Sequence, residues 1–192
     1  MTPPPPDKHA LRLEGLARRD ALDAAWRAQA SRQIARHALA LPDLAASHAG
    51  QVTIAGYWPM RSEVDTRPLL AALAERGFTL ALPLVADPHL RFLRWRPGEA
   101  LVRGAFAVEA PPADAEEVRP DLLLLPLARF DPACNRIGYG KGHYDRAIAR
   151  LTQRKPVRTI GLAFAVQSAE KIPVEGHDVR LDMVVTETGI IR

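Results

Sequence analysis

Asp121-Leu122-Leu123-Leu124-Leu125, followed closely by Arg129-Phe130-Asp131-Pro132-Ala133-Cys134-Asn135-Arg136-Ile137-Gly138-Tyr139-Gly140-Lys141-Gly142-His143-Tyr144-Asp145-Arg146, is the stretch on which the fold turns. Four successive leucines without polar alternation are the pattern of a parallel strand buried on both faces. Residues 126–143 then read as a loop, and Tyr144 to Leu151 as a helix. Open α/β sheets carry their ligands outside the carboxyl ends of such strands, which is where this loop falls.

Working outward, strand and helix patterns alternate. Lys8 to Ala40 has one glycine and no proline and is rich in Ala, Leu, Arg and Gln, so it reads as helix. Asp7 is a candidate cap, and Asp23 is a candidate cap for a second helix; one helix or two remains open. Val52 to Trp58 reads as a strand. A helix over Pro68 to Arg76 follows a cap candidate at Thr66 and ends at Gly77. Thr79 to Leu82 is a short strand stopped by Pro83, and Arg91 to Trp95 an edge or hairpin strand before the Pro97-Gly98 turn. Ala110 to Asp114 is a loop, and Thr159 to Phe164 and Met183 to Thr186 are two further strands. The expected class is a three-layer α/β fold, a mainly parallel sheet flanked by helices with an N-terminal helical segment. It is expected as one domain over 1–192, with a proline-rich leader at 1–6.

The 192 residues include one cysteine, Cys134, which excludes an internal disulfide framework and a Cys-rich zinc site. No apolar run approaches the ~20 residues of a spanning helix. The N-terminus lacks the basic and apolar regions of a signal peptide, so the expectation is a soluble cytoplasmic protein without membrane partners. The net charge of +4 is local. Residues 1–40 hold seven Lys/Arg against four Asp/Glu, and residues 129–158 hold eight against two. Both stretches favour an anionic ligand at a site over a general basic coating.

Glycines at 138, 140 and 142, ahead of a helix, clear side chains so that backbone N–H groups can converge on an anion. Arg136 and Lys141 add full charges. The spacing is neither that of a P-loop, which needs Ser or Thr after Gly-Lys, nor that of a dinucleotide fingerprint. Two readings stand on these residues alone: a phosphate site, or a tight loop whose glycines serve geometry and whose basic residues are solvated.

Asn135-Arg136-Ile137-Gly138-Tyr139-Gly140-Lys141-Gly142-His143-Tyr144-Asp145 resembles the signature of the 5-formyltetrahydrofolate cyclo-ligase family, following a Phe-Asp pair, here Phe130-Asp131. Three more blocks agree in order: Lys8-His9-Ala10-Leu11-Arg12, Tyr57 to Thr66 around Glu63, and His177-Asp178 to Asp182 ahead of Val184-Val185-Thr186-Glu187. At His143 the family usually has an aromatic residue.

The resemblance implies an enzyme that uses ATP and Mg2+ to convert 5-formyltetrahydrofolate into 5,10-methenyltetrahydrofolate, ADP and phosphate. It implies ATP contacts from Lys8, Arg12, Arg136, Gly138, Tyr139, Gly140, Lys141, Gly142, His143 and Tyr144. For the folate it implies Trp58, Glu63, Tyr139, Gly140, Lys141, Gly142 and His143, with Lys141 and Glu63 as catalytic residues. Asp145 and Asp178 would be the metal ligands, since Mg2+ favours one or two carboxylates, waters and phosphate oxygens. Lys8 and Arg12, four apart, share a helix face; Arg19 falls on the same face, has no support from the family pattern, and is expected at the surface. Cys134 is expected to be an incidental loop thiol. The expected partner is the small-molecule substrate, with no nucleic acid, for a monomer. The alternatives are a paralogue with another pterin substrate or no turnover, and a basic nucleic-acid-binding protein.

Overall fold

The computed structural model describes residues 7–105, 108–176 and 178–192. The proline leader and His177 of the C-terminal block lie outside the described residues. Helices α1 (Lys8–Asp20) and α2 (Ala24–Leu39) open the fold, followed by β1 (Thr53–Ala55), α3 (Arg67–Glu75), β2 (Thr79–Ala86) and β3 (His89–Arg94). Two short strands, β4 (Val102–Arg103) and β5 (Glu109–Ala110), precede β6 (Leu122–Pro126). Then come β7 (Arg129–Phe130), β8 (Arg136–Ile137), α4 (His143–Thr152), β9 (Arg158–Leu162), β10 (Met183–Thr186) and β11 (Gly189–Ile191).

The main sheet has the order β11-β10-β9-β6-β1-β2-β3. Its five inner strands run parallel, and β3 and β11 are antiparallel edges. Because successive side chains point to opposite faces, the leucines of β6 divide. Leu122 and Leu124 join Ile34 and Ala38 of α2 and Leu69, Leu70 and Leu73 of α3. Leu123 and Leu125 join Ala147, Ile148 and Leu151 of α4 on the other face. Each fully buried leucine of α3 contributes about 1.5–3 kcal/mol of transfer free energy. Helices on both faces of a mostly parallel sheet make the three-layer α/β class expected from the alternation of elements.

The N-terminal helical stretch is two helices. The break falls at Ala21–Asp23, where the Asp23 carboxylate accepts from Trp26 N at 2.9 Å. Asp7 stands at the other cap position but makes no side-chain cap bond. Thr66 does not cap α3 either; its hydroxyl donates to Tyr57 O at 2.6 Å, tying the turn after β1 to the helix. Pro83 does not stop β2. Ala55, the last residue of β1, pairs with Ala81, so beyond that point no strand lies on that side to require the missing N–H.

Gly15 lets α1 settle on the β6–β7 turn. A Cβ there would lie 2.3 Å from Ala128 O, a distance no side chain tolerates. This seat brings the polar face of α1 beside the glycine loop, with Leu11 packed on Ile137, Ala169 and Ile172.

Candidate functional site

A cleft of about 1480 Å³ opens at the carboxyl ends of β1, β2 and β6. Lys8 and Arg12 enter it from α1, Trp58 and Glu63 from the turn after β1, residues 136–146 from the glycine loop and α4, and Asp178 from the C-terminal loop. All of the residues singled out from the sequence as site candidates line this one cleft. Arg103, Gly104, Glu109 and Glu175 line it too, and sequence patterns did not single them out.

The glycine loop is built on Asp131, which is buried. Its carboxylate accepts from Ala133 N and Asn135 N at 3.0 Å, from the Asn135 amide at 3.0 Å and from Ile172 N at 3.0 Å. Cys134 lies inside this turn, buried, with burial pushing its thiol above the ordinary range. It has the character of a packed side chain, not a nucleophile.

Arg12 Nε donates to Gly138 O at 2.8 Å. Its guanidinium then lies over Gly140, which has φ +88°; a Cβ at that residue would stand 3.2 Å from Arg12 Cζ. Gly140 is therefore required both by backbone sign and by the approach of the arginine. Lys141 is exposed in the cleft, and among the described residues no hydrogen bond or ion pair holds its ammonium. His143, at the start of α4, has Nδ1 3.1 Å from Arg146 Nη2, and the same nitrogen of Arg146 donates to Lys141 O at 2.8 Å.

The acidic groups are not isolated. Asp145 Oδ1 accepts from Arg136 at 2.7 Å and from Val179 N at 3.3 Å, which ties α4 to the residue next to Asp178. Asp178 Oδ2 accepts from Lys8 Nζ at 2.6 Å and from Glu175 N at 2.7 Å. Lys8 also meets Glu175 at 2.9 Å; burial pulls its ammonium down, but the two carboxylates win and raise it. The donor set suits Mg2+: two carboxylates from separate elements on one cleft, with Asp145 Oδ2 unpartnered among the described residues. No cluster of three His, Cys, Asp or Glu suited to a metal occurs among the described residues, so the remaining ligands would have to be phosphate and water.

At the other end, Glu63 is 7% exposed. Its Oε1 accepts from the Tyr139 hydroxyl at 2.6 Å and its Oε2 from Met60 N at 2.9 Å. Burial raises the Glu63 carboxyl above its usual range, with the Tyr139 and Met60 hydrogen bonds and the charges of Arg19 and Arg61 opposing. Burial likewise pushes the Tyr139 and Tyr144 phenols well up, so both stay protonated. Trp58 stands edge-on to Trp95 with centroids 5.6 Å apart, and the Arg67 guanidinium lies 5.9 Å from its ring centre.

Arg19 corrects the sequence reading. It is not a surface residue: it is 1% exposed, with Nε donating to Ser62 Oγ at 2.9 Å and Nη1 to Tyr139 Oη at 3.0 Å. Its place on the face of Lys8 and Arg12 was the only signal available, and the loops that bury it come from 43 and 120 residues away.

Comparison with known proteins places the chain in a family. The family model described as "5-formyltetrahydrofolate cyclo-ligase family" matches residues 5–187. The 5-formyltetrahydrofolate cyclo-ligase of Escherichia coli (strain K12) is 31% identical over 180 residues, 90% of this chain and 96% of that protein. The Haemophilus influenzae protein of the same name is 30% identical over 181 residues, 91% of this chain and 94% of the relative. Among solved structures, the 5,10-methenyltetrahydrofolate synthetase of Aquifex aeolicus superposes with a TM-score of 0.81 at 29% identity, covering 96% of this chain and 92% of that one. On a match that takes in the glycine loop and the C-terminal block, the chain belongs to the 5-formyltetrahydrofolate cyclo-ligase family, a family of ligase enzymes.

Proposed function

We propose that the chain converts 5-formyltetrahydrofolate and ATP into 5,10-methenyltetrahydrofolate, ADP and phosphate. The observation that carries this reading is that one cleft gathers two sets of groups: Lys8, Arg12 and Lys141 with the glycine loop, and buried Glu63 with Trp58. A polyphosphate suits the first set, and a flat, hydrogen-bonding heterocycle suits the second.

In this reading the formyl oxygen attacks the γ-phosphorus of ATP. The new O–P bond forms as the bond to the ADP oxygen breaks, and ADP leaves with the electron pair. The formyl oxygen is now part of a good leaving group. Nitrogen 10 attacks the formyl carbon, the C–O bond breaks toward phosphate, and the nitrogen 10 proton is lost, leaving the bridged cation.

Lys8 and Arg12 bind the polyphosphate, with Gly138, Gly140, Gly142, Tyr144 and His143 shaping its bed. Lys141 meets the transferring phosphoryl group and the charge developing on the formyl oxygen. Arg136 holds Asp145 in place. Magnesium held by Asp145 and Asp178 would neutralise phosphate charge. Glu63 and Tyr139 hold the pterin end, and Trp58 covers its ring. Alignment of the two reacting groups, with water excluded, is the main service such a site performs.

No described helix is long and apolar enough to cross a membrane. We take the chain to act as one domain, a monomer in the cytoplasm, on a small molecule and not on nucleic acid. Incubating purified protein with 5-formyltetrahydrofolate and MgATP should raise the near-ultraviolet absorbance of the methenyl product. Absence of product, with polynucleotide binding that weakens steeply with salt, would replace this reading with the nucleic-acid alternative.

A further inference from the structure

Arg19 has no part in the chemistry just described, yet its guanidinium is withdrawn from water at the end of α1. Burying a full charge is costly unless it is closely partnered. Its partners are Ser62 Oγ, Tyr139 Oη and, at 4.0 Å, the Asp20 carboxylate, while its Cζ lies 5.9 Å from the Tyr139 ring centre.

The directions of these bonds have a consequence. A phenol has one proton and accepts through its oxygen lone pairs; an arginine only donates. With Arg19 donating to Tyr139 Oη, the phenol proton is left to point at Glu63 Oε1, 2.6 Å away. Glu63 Oε2 is taken by Met60 N. Both carboxylate oxygens therefore accept, and a proton on Oε1 would oppose the one on Tyr139.

We propose that Arg19 is a positioning residue, which acts through the Tyr139 hydroxyl to hold Glu63 in one orientation as a hydrogen-bond acceptor at the pterin end of the cleft. The inference rests on the proposed function and adds to it a residue that touches neither substrate. It gives buried Arg19 a reason to be charged. Glu63 is faced by Arg19 from α1, Arg61 from its own turn, Tyr57 from just after β1, Tyr139 from the glycine loop and Tyr144 from α4. Burial opposes its ionised form, and the Tyr139 hydrogen bond and the two arginines favour it.

The test is a double-mutant cycle on the purified full chain, with initial rates for folate and MgATP. Arg19→Met and Tyr139→Phe should each lower kcat/KM for the folate by about 10–100-fold, the size of a lost charge-assisted hydrogen bond. The double variant should be no worse than the poorer single one, because both cut the same connection. For Arg19→Met the KM for MgATP should stay within about twofold, and Arg19→Lys should recover part of the loss. The loss should also be larger at pH 6 than at pH 8.5, since Glu63 without its distal charge takes up a proton more readily. Multiplicative losses in the double variant, or equal losses for both substrates at every pH, would overturn the inference and leave Arg19 a packing residue. If Arg19→Met does not fold, Arg19→Lys replaces it in the cycle with Tyr139→Phe, and the same non-additivity decides. Failure of the parent chain to turn over the folate would instead overturn the proposed function. Full activity of Arg19→Met in an active parent would overturn the inference alone.

Discussion

Lys8, in the first turn of α1, donates to Asp178 at 2.6 Å across 170 residues of sequence. A cation proposed for the nucleotide thus neutralises a carboxylate proposed for its metal ion, and the two ends of the chain close one wall of the cleft. When MgATP is bound, both groups have stronger partners available: phosphate oxygens for Lys8 and the divalent ion for Asp178.

Replacing Lys8 by Met should therefore raise the KM for MgATP about tenfold or more and leave the KM for the folate within about twofold. Steady-state rates with each substrate varied in turn decide this. An equal rise in both constants would place Lys8 in the architecture of the cleft and not at the nucleotide.

Asp145→Asn keeps an oxygen for Arg136 and Val179 N but loses the charge on the atom offered to the metal. The free Mg2+ giving half-maximal rate should rise at least about tenfold, in line with the loss of a charged ligand. Titration of Mg2+ at fixed ATP tests this, and an unchanged midpoint would remove Asp145 from the metal.

Gly140→Ala tests the loop geometry. A non-glycine residue at φ +88° is strained by about 1–2 kcal/mol. The added methyl also meets the Arg12 guanidinium, at 3.2 Å from Cζ. The melting temperature should fall by about 2–8 °C. MgATP binding should weaken beyond what that loss of stability explains, because Arg12 must leave Gly138 O. Thermal melts with and without MgATP separate the two effects.

The acid strength of Glu63 makes a prediction about stability. Its carboxyl is raised in the folded protein, chiefly by burial. A raised group favours the folded state at low pH and loses that advantage as pH climbs through its folded value. Glu63→Gln has no such titration. The parent should lose stability relative to the variant as pH rises above the ordinary glutamate value of about 4.3, and the variant should be inactive throughout. Denaturant midpoints across that range check the sign; a parent that gains on the variant with rising pH would contradict it.

The framework of the fold could be read from local pattern because its strands are buried on both faces. Leu122 to Leu125 and Met183 to Val185 leave no polar position to confuse the reading. The weaker pieces depend on neighbours that a linear pattern does not show. β2 runs past Pro83 only because β1 is short, and β11 is three residues paired on one side. The candidate site residues announced themselves through the glycine spacing and through family resemblance, with little from charge alone. Arg19 did not, since Arg18 and Asp20 beside it give that turn of α1 the look of a solvated face. Arg103 and Glu109, on two-residue strands at the rim of the cleft, have no periodicity to mark them.

The central claim is that the formyl oxygen is phosphorylated, and the fate of that oxygen tests it most directly. With 5-formyltetrahydrofolate labelled with heavy oxygen in the formyl group, a single turnover with MgATP should place one labelled oxygen in each inorganic phosphate released, in step with methenyl product. Methenyl product accompanied by unlabelled phosphate, with the label in water, would contradict the account.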